Sequence, residues 1–244
     1  MYGWVVAKLR RVGAVPQLVY RKANKIAVHL LGPMLLRPNR HGLELEKLGT
    51  EQDGWTVPVN RLDKSSVCYC VGVGADASFD FTLVDRFHCS VFSFDPTPAS
   101  ITYMELANYD RSNLHFLPVG VWDEDTELRF YVPANNDEAL LSVFDLKGTG
   151  KYVLCKCQKI STIMQNLGHT HIDLLKLDIE GAWQRVVRNI AEENISVSMV
   201  CVELDSPTSL VWVFRVIRML RRLGLELVHF EKDNYLFVQK SLLS

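Results

Sequence analysis

With 244 residues, 48% of them hydrophobic and 23% charged, the chain carries ample material for one globular domain and its core. A formal net charge of -1 opposes bulk electrostatic binding to nucleic acid, and no apolar run nears the roughly 20 residues of a membrane span. The start lacks the charged-then-apolar pattern and cleavage site of a secretory signal, so a cytoplasmic location is expected.

Residues 1–43 hold Lys8, Arg10, Arg11, Arg21, Lys22, Lys25, Arg37 and Arg40, and no acid precedes Glu44. Val15, Leu18, Val19, Ala23, Ile26 and Leu30 recur at helical spacing, with Pro16 near the start and Pro33 past the end. This predicts a basic amphipathic helix. The plain expectation is a helix packed on the following domain with its basic face in water. The sharper one is peripheral contact with an anionic membrane surface, or with an anionic substrate. The expected division is a basic helical arm over 1–48 and a catalytic-type domain over 49–244.

Beyond a turn-rich stretch at 49–65, strand patterns fall at 67–71, 90–94, 114–119, 172–177, 198–204, 225–230 and 235–239. They alternate with helix patterns near 77–87, 98–108, 160–167, 181–193 and 208–223, and a β-rich insertion lies around 127–132 and 152–157. Such alternation predicts an α/β sandwich on a mostly parallel sheet.

The first strand, Val67-Cys68-Tyr69-Cys70-Val71, breaks at Gly72-Val73-Gly74-Ala75-Asp76-Ala77, which formally satisfies G-x-G-x-x-G/A. A strand feeding such a turn and then a helix brings bare backbone N–H groups against a ligand. Asp95, at the end of the next strand in Phe94-Asp95-Pro96, stands at the separation expected of an acid that holds ribose hydroxyls. Both NAD and S-adenosylmethionine carry that ribose. Asp76 separates them: a carboxylate facing a pyrophosphate at 4 Å costs on the order of 4 kcal/mol at an effective dielectric of about 20. S-adenosylmethionine instead offers an ammonium and a sulfonium, which an acid attracts. Asp76 and Asp95 also suit helix capping.

The run Ile172 to Gly181, Ile-Asp-Leu-Leu-Lys-Leu-Asp-Ile-Glu-Gly, delivers Asp178 and Glu180 to the same sheet edge. Two carboxylates there suit deprotonation of a hydroxyl nucleophile or the holding of a divalent metal, and they equally suit capping the next helix. At the C-terminus, Leu225–Phe230 and Tyr235–Gln239 are separated by only Glu231-Lys232-Asp233-Asn234. So short a link permits only an antiparallel hairpin. His169 and His171 precede the 172–177 strand at its far end from the crevice and are set aside as catalytic. Cys68, Cys70, Cys89, Cys155, Cys157 and Cys201 lie mostly in apolar runs, form no C-x-x-C pair, and are expected as buried thiols without a metal.

The glycine turn, Phe94-Asp95-Pro96 and Leu175-Lys176-Leu177-Asp178-Ile179-Glu180-Gly181-Ala182 together resemble the FkbM family of S-adenosylmethionine-dependent methyltransferases. Gly54-Trp55 with Val57-Pro58, and Pro118-Val119-Gly120-Val121-Trp122-Asp123, extend the likeness over roughly residues 49–240. The resemblance implies a Rossmann-like class I methyltransferase sandwich, with a parallel sheet closed by one reversed edge strand. It also implies methyl transfer to a hydroxyl oxygen of a sugar or secondary metabolite. Matching positions are Gly72, Gly74, Asp95, Asp178, Glu180 and Gly181; Asp123 follows the third core strand, where adenine would lie. Glu203 and Asp205, at the end of the fifth, suit lining the acceptor side and, like Asp123, equally suit a structural role. Asp178 is then the first candidate base and Glu180 the second. Two departures stand out: Cys70 replaces an often acidic residue before the turn, and Trp183 stands where many relatives have Glu. An NAD-dependent oxidoreductase and a non-catalytic protein of the same fold are the competing expectations.

Overall fold

Val67–Val71 and, apart from Asp173 and Lys176, Ile172–Leu177 are apolar on both sides because both faces of their sheet are covered, and nearly every residue in them is buried. The computed structural model describes residues 17–107, 112–132, 150–179, 181–205 and 208–243. In chain order the elements are α1 (Gln17–Leu35), β1 (Leu45–Leu48), β2 (Trp55–Pro58), β3 (Val67–Val71), α2 (Ser78–Phe87), β4 (Ser90–Phe94), α3 (Pro98–Leu106), β5 (Leu114–Leu117), β6 (Gly120–Val121), β7 (Thr126–Tyr131) and β8 (Tyr152–Gln158). There follow α4 (Ile160–Leu167), β9 (Ile172–Leu177), α5 (Trp183–Glu192), β10 (Val197–Glu203), α6 (Leu210–Arg222), β11 (Leu225–Glu231) and β12 (Asn234–Gln239).

Seven strands form the central sheet in the order β11-β12-β10-β9-β3-β4-β5, with β10, β9, β3, β4 and β5 parallel to one another. The C-terminal hairpin is antiparallel, as its short link requires. The reversed strand is not at the edge, however. β12 inserts between β10 and β11 and runs antiparallel to both, leaving β11 outermost. A second sheet, β6-β8-β7, accounts for the β-rich insertion, and β1 pairs antiparallel with β2 in a hairpin over residues 45–58.

Alternation along each strand divides the core in two. Tyr69, Val71, Leu175 and Leu177 face the layer holding α4, α5 and α6. Cys68, Cys70 and Leu174 face α2 and the β1–β2 hairpin through Trp55, Val57, Phe79 and Leu83. All six cysteines are buried thiols. The helix ends carry recognisable stops: Thr97 caps α3 by accepting from the Ser100 N–H ahead of Pro98, and Gly168 closes α4 in the left-handed region.

The arm departs from expectation in two ways. Pro33 lies inside α1, in its last turn, where its ring removes one i→i−4 hydrogen bond, yet the helix runs on to Leu35. Val15 and Pro16 lie outside the described residues. The packed face consists of Val28, Gly32 and Leu36, while Ile26 and Leu30, expected to pack, are 58% and 67% exposed. Lys25 and His29 reach Asp233 at 2.5 and 2.9 Å, pinning α1 to the turn of the β11–β12 hairpin. Among the described residues no helix is long and apolar enough to cross a membrane.

Candidate functional site

Register builds the site. Val71 pairs with Phe94 on one side and with Leu177 on the other, so Gly72, Asp95 and Asp178 emerge side by side at one sheet edge. Gly72 takes φ +88°, and a Cβ there would lie 1.8 Å from the carbonyl oxygen of Asp178. Only glycine fits. Gly74 takes φ +57° with open space around it.

Asp95, 7% exposed, sits beneath the turn. Its Oδ2 accepts from the N–H groups of Val73 and Gly74, both at 3.0 Å. Its Oδ1 accepts from the Thr97 N–H at 2.9 Å and the Thr97 hydroxyl at 2.7 Å. The carboxylate thereby stitches the glycine turn to the start of α3, reinforced by Ser100, whose hydroxyl donates to the Gly74 carbonyl.

Asp76 lies beyond the turn. It accepts from the Ser78 N–H at 2.7 Å and from the Thr50 hydroxyl at 2.8 Å, so it both starts α2 and latches the 49–53 loop. Partial burial by itself raises its carboxyl, but the bonds from Ser78 and Thr50 and the charge of Lys176 outweigh that, and the net shift is downward.

Lys176 is the residue the sequence reading quoted without a role. Fully buried, its ammonium donates to the Gly72 carbonyl at 2.6 Å and stands 3.4 Å from Asp178 Oδ2. Burial opposes its charge, yet Asp178 and Asp80 overcome this and hold it up to about 12. Asp80, itself pushed up by burial, accepts from Ser93 at 2.5 Å and from the Cys70 thiol. Asp80, in the first turn of α2, thus joins Cys70, Ser93 and Lys176 in one buried cluster. The signal for this was in the sequence: a lysine in an otherwise apolar strand must bring counter-charges with it.

Trp183 is fully buried and does not line the cavity. Its indole N–H donates to Asp205 Oδ1 at 2.9 Å, and its ring meets Trp212 edge-on. The same Asp205 oxygen accepts from the Gly181 N–H at 2.8 Å, so Asp205 secures the turn after Asp178 instead of lining the acceptor side. Glu180 lies outside the described residues. Asp123 pairs with Arg185 at 3.2 Å and is not among the residues that line the cavity. His169 bonds Tyr69 at 2.7 Å, and His171 bonds Ser196 and Ser198, all away from the cavity.

The cavity over this edge measures about 640 Å³. Gly72, Gly74, Asp76, Asp95 and Asp178 meet in its wall, joined by Trp55, Phe130, Glu203 and Asn234. Among the described residues its charged lining comprises Asp53, Asp76, Asp95, Asp178 and Glu203 against Lys176. Such a wall attracts a cationic ligand. Among the described residues no three His, Cys, Asp or Glu side chains are grouped as metal ligands.

Residues 67–227 match the family described as Methyltransferase FkbM domain. No curated protein matches the chain. Among solved structures, the chain is similar to a methyltransferase FkbM of Methylobacillus flagellatus, with 14% identity, 72% of this chain and 44% of that one covered, and a TM-score of 0.46. It is also similar to the fibrillarin pre-rRNA processing protein of Methanococcus jannaschii, at 13% identity, with 73% and 68% covered and a TM-score of 0.43. A precorrin-6y C5,15-methyltransferase of Geobacter metallireducens gives 11%, 73% and 80%, and 0.40. The chain thus spans less than half the length of the M. flagellatus protein.

Proposed function

The chain belongs to the methyltransferase FkbM domain family, and we propose that it transfers a methyl group from S-adenosylmethionine to a hydroxyl oxygen of a sugar or secondary metabolite. One observation carries the choice of ligand. The Val73 and Gly74 N–H groups, which a pyrophosphate would need, already donate to Asp95, and among the described residues five carboxylates line the cavity against one ammonium. A dinucleotide would meet like charge there, whereas a ligand bearing an ammonium and a sulfonium meets attraction.

The residues present fit such a group. Gly72 lets the turn lie flat on Asp178, Asp95 holds the turn rigid, and Asp76 sets an acid at the mouth of α2. When bound, S-adenosylmethionine supplies an electrophilic methyl on a sulfonium whose departure leaves a neutral thioether. Asp178, its side chain about one-third exposed in the cavity wall, takes the proton that the acceptor oxygen loses as its new bond forms, then releases it to solvent. Lys176 fixes Asp178 and the turn relative to each other, so much of the protein's contribution is alignment.

The experiment is methyl transfer from labelled S-adenosylmethionine to a panel of hydroxyl-bearing glycans and small metabolites. Asp178→Asn is expected to bind S-adenosylhomocysteine like the parent and to lose turnover by roughly 10²–10⁴-fold. Unchanged turnover in that variant would remove Asp178 as the base. Binding without transfer to any acceptor would favour a non-catalytic role.

A further inference from the structure

The outward face of α1 is apolar where a water-facing helix is ordinarily polar. Ile26, Leu30 and Met34 recur every fourth residue at 58%, 67% and 75% exposure, with Leu31 and Leu35 beside them at 42% and 51%. The face does not arise from a loosely held helix: Val28, Gly32 and Leu36 are buried beneath it, and Lys25 and His29 are bonded to Asp233. α1 packs against α6, which also leaves apolar side chains in solvent, Val211 at 47% and Phe214 at 45%.

Charge decides what covers such a surface. No acid precedes Glu44, and of the Lys and Arg before it Arg21, Lys22 and Lys25 fall on α1 and Arg37 and Arg40 follow it, with Lys25 paired to Asp233. α6 contributes exposed Arg215, Arg218 and Arg222 and contains no acid; its Arg221 pairs with Glu226. A second copy of the chain docked on this face would press one basic helix pair against another. An anionic bilayer surface instead offers apolar volume for Ile26, Leu30 and Met34 and negative headgroups for the flanking cations.

We propose that α1 and α6 form a peripheral docking face for an anionic lipid bilayer. This goes beyond the methyl-transfer reading and does not depend on it. Binding combines insertion of the apolar stripe into the headgroup and acyl boundary with attraction of the basic residues to the surface, so it weakens as salt rises. Through Lys25, His29 and Asp233 the docking helix is tied to the hairpin whose Asn234 lines the cavity.

The test is flotation of the full chain with vesicles of phosphatidylcholine, with and without phosphatidylglycerol. The expected result is flotation with the phosphatidylglycerol vesicles only, reversed by high salt. Leu30→Glu with Met34→Glu is expected to weaken vesicle binding tenfold or more, and Arg218→Glu with Arg222→Glu to weaken it several-fold. All four side chains are exposed or lie on the outer face, so melting temperature and S-adenosylhomocysteine binding should not move. Those two readouts keep a failure here distinct from a failure of the methyl-transfer reading. No flotation with anionic vesicles, or flotation unchanged by the Leu30 and Met34 variants, would overturn the proposal. So would sedimentation showing a stable dimer that those variants split, which would assign the face to a second copy.

Discussion

Gly72 and the carbonyl oxygen of Asp178 are so close that a Cβ on Gly72 would lie 1.8 Å from that oxygen, while Gly72 itself takes φ +88°. The first ligand turn and the candidate base are therefore one packed unit. Gly72→Ala has to displace the Asp178 backbone as well as adopt a left-handed φ, and a loss of about 3 kcal/mol or more is expected. Gly74→Ala meets only the φ penalty, about 1–2 kcal/mol, since nothing lies within 4 Å of its Cβ position. Urea denaturation of the two variants checks the order, and S-adenosylhomocysteine binding should vanish in the first and weaken in the second.

Lys176 is a buried cation with two buried or half-buried acids around it. Lys176→Met removes the charge and leaves Asp80 and Asp178 facing each other, for an expected loss of about 3–5 kcal/mol. Adding Asp80→Asn removes the stranded charge and is expected to recover part of that loss. Denaturation midpoints of the single and double variants measure the coupling.

Trp183 is enclosed and donates its indole N–H to Asp205. Trp183→Phe keeps most of the packing and drops one hydrogen bond to a charged group, for about 1.5–3 kcal/mol. Trp183→Glu places a second carboxylate beside Asp205 and is expected to cost more than the Phe change. Equal costs in thermal or urea unfolding would show that the added charge beside Asp205 is unimportant, and no cost for the Phe change would show the same of the indole bond.

Stability should decline as pH falls through the histidine range. Burial lowers His169, with the neighbouring His115 adding to it, and burial lowers His229 beside Arg40, with Glu231 partly opposing. The unfolded chain then takes protons below its ordinary value of about 6.5 that the folded chain refuses, so this stability is full above about pH 6.5 and lost as pH drops through the folded values. Asp80, raised by burial, works in the opposite sense, from the carboxylate range upward. Urea midpoints at about pH 7.5 and about pH 5.5 should fall between the two, and His169→Phe with His229→Gln should flatten the difference.

Much of the frame was legible because it is set by local pattern. The 90–94 and 172–177 strands and the 160–167 helix lie at the bounds their apolar runs and flanking Gly and Pro residues imply. The hairpin was legible from its link length. Its insertion of β12 between β10 and β11 was not, because link length fixes direction and leaves lateral order open. Helical spacing told that α1 is amphipathic but not which stripe packs, since Val28-Gly32-Leu36 and Ile26-Leu30-Met34 are both apolar at i, i+4 and i+8. The choice was made by Asp233, a long-range partner for Lys25 and His29. At the site, Gly72, Asp95 and Asp178 were readable as strand-end residues of adjacent parallel strands. Asp205 and Asp80 act through contacts across the fold that no spacing announces, and Asp123 is held by Arg185 from a different element.

On the proposed function, the cavity at the glycine turn is expected to take a cationic sulfonium ligand in preference to a dinucleotide. Calorimetric titration of the full chain with S-adenosylmethionine, and separately with NAD, distinguishes the two. The expected result is saturable binding of S-adenosylmethionine, lost in Gly72→Ala, with no measurable heat from NAD. Binding of NAD at equal or greater affinity, or no binding of S-adenosylmethionine to the folded protein, would contradict it.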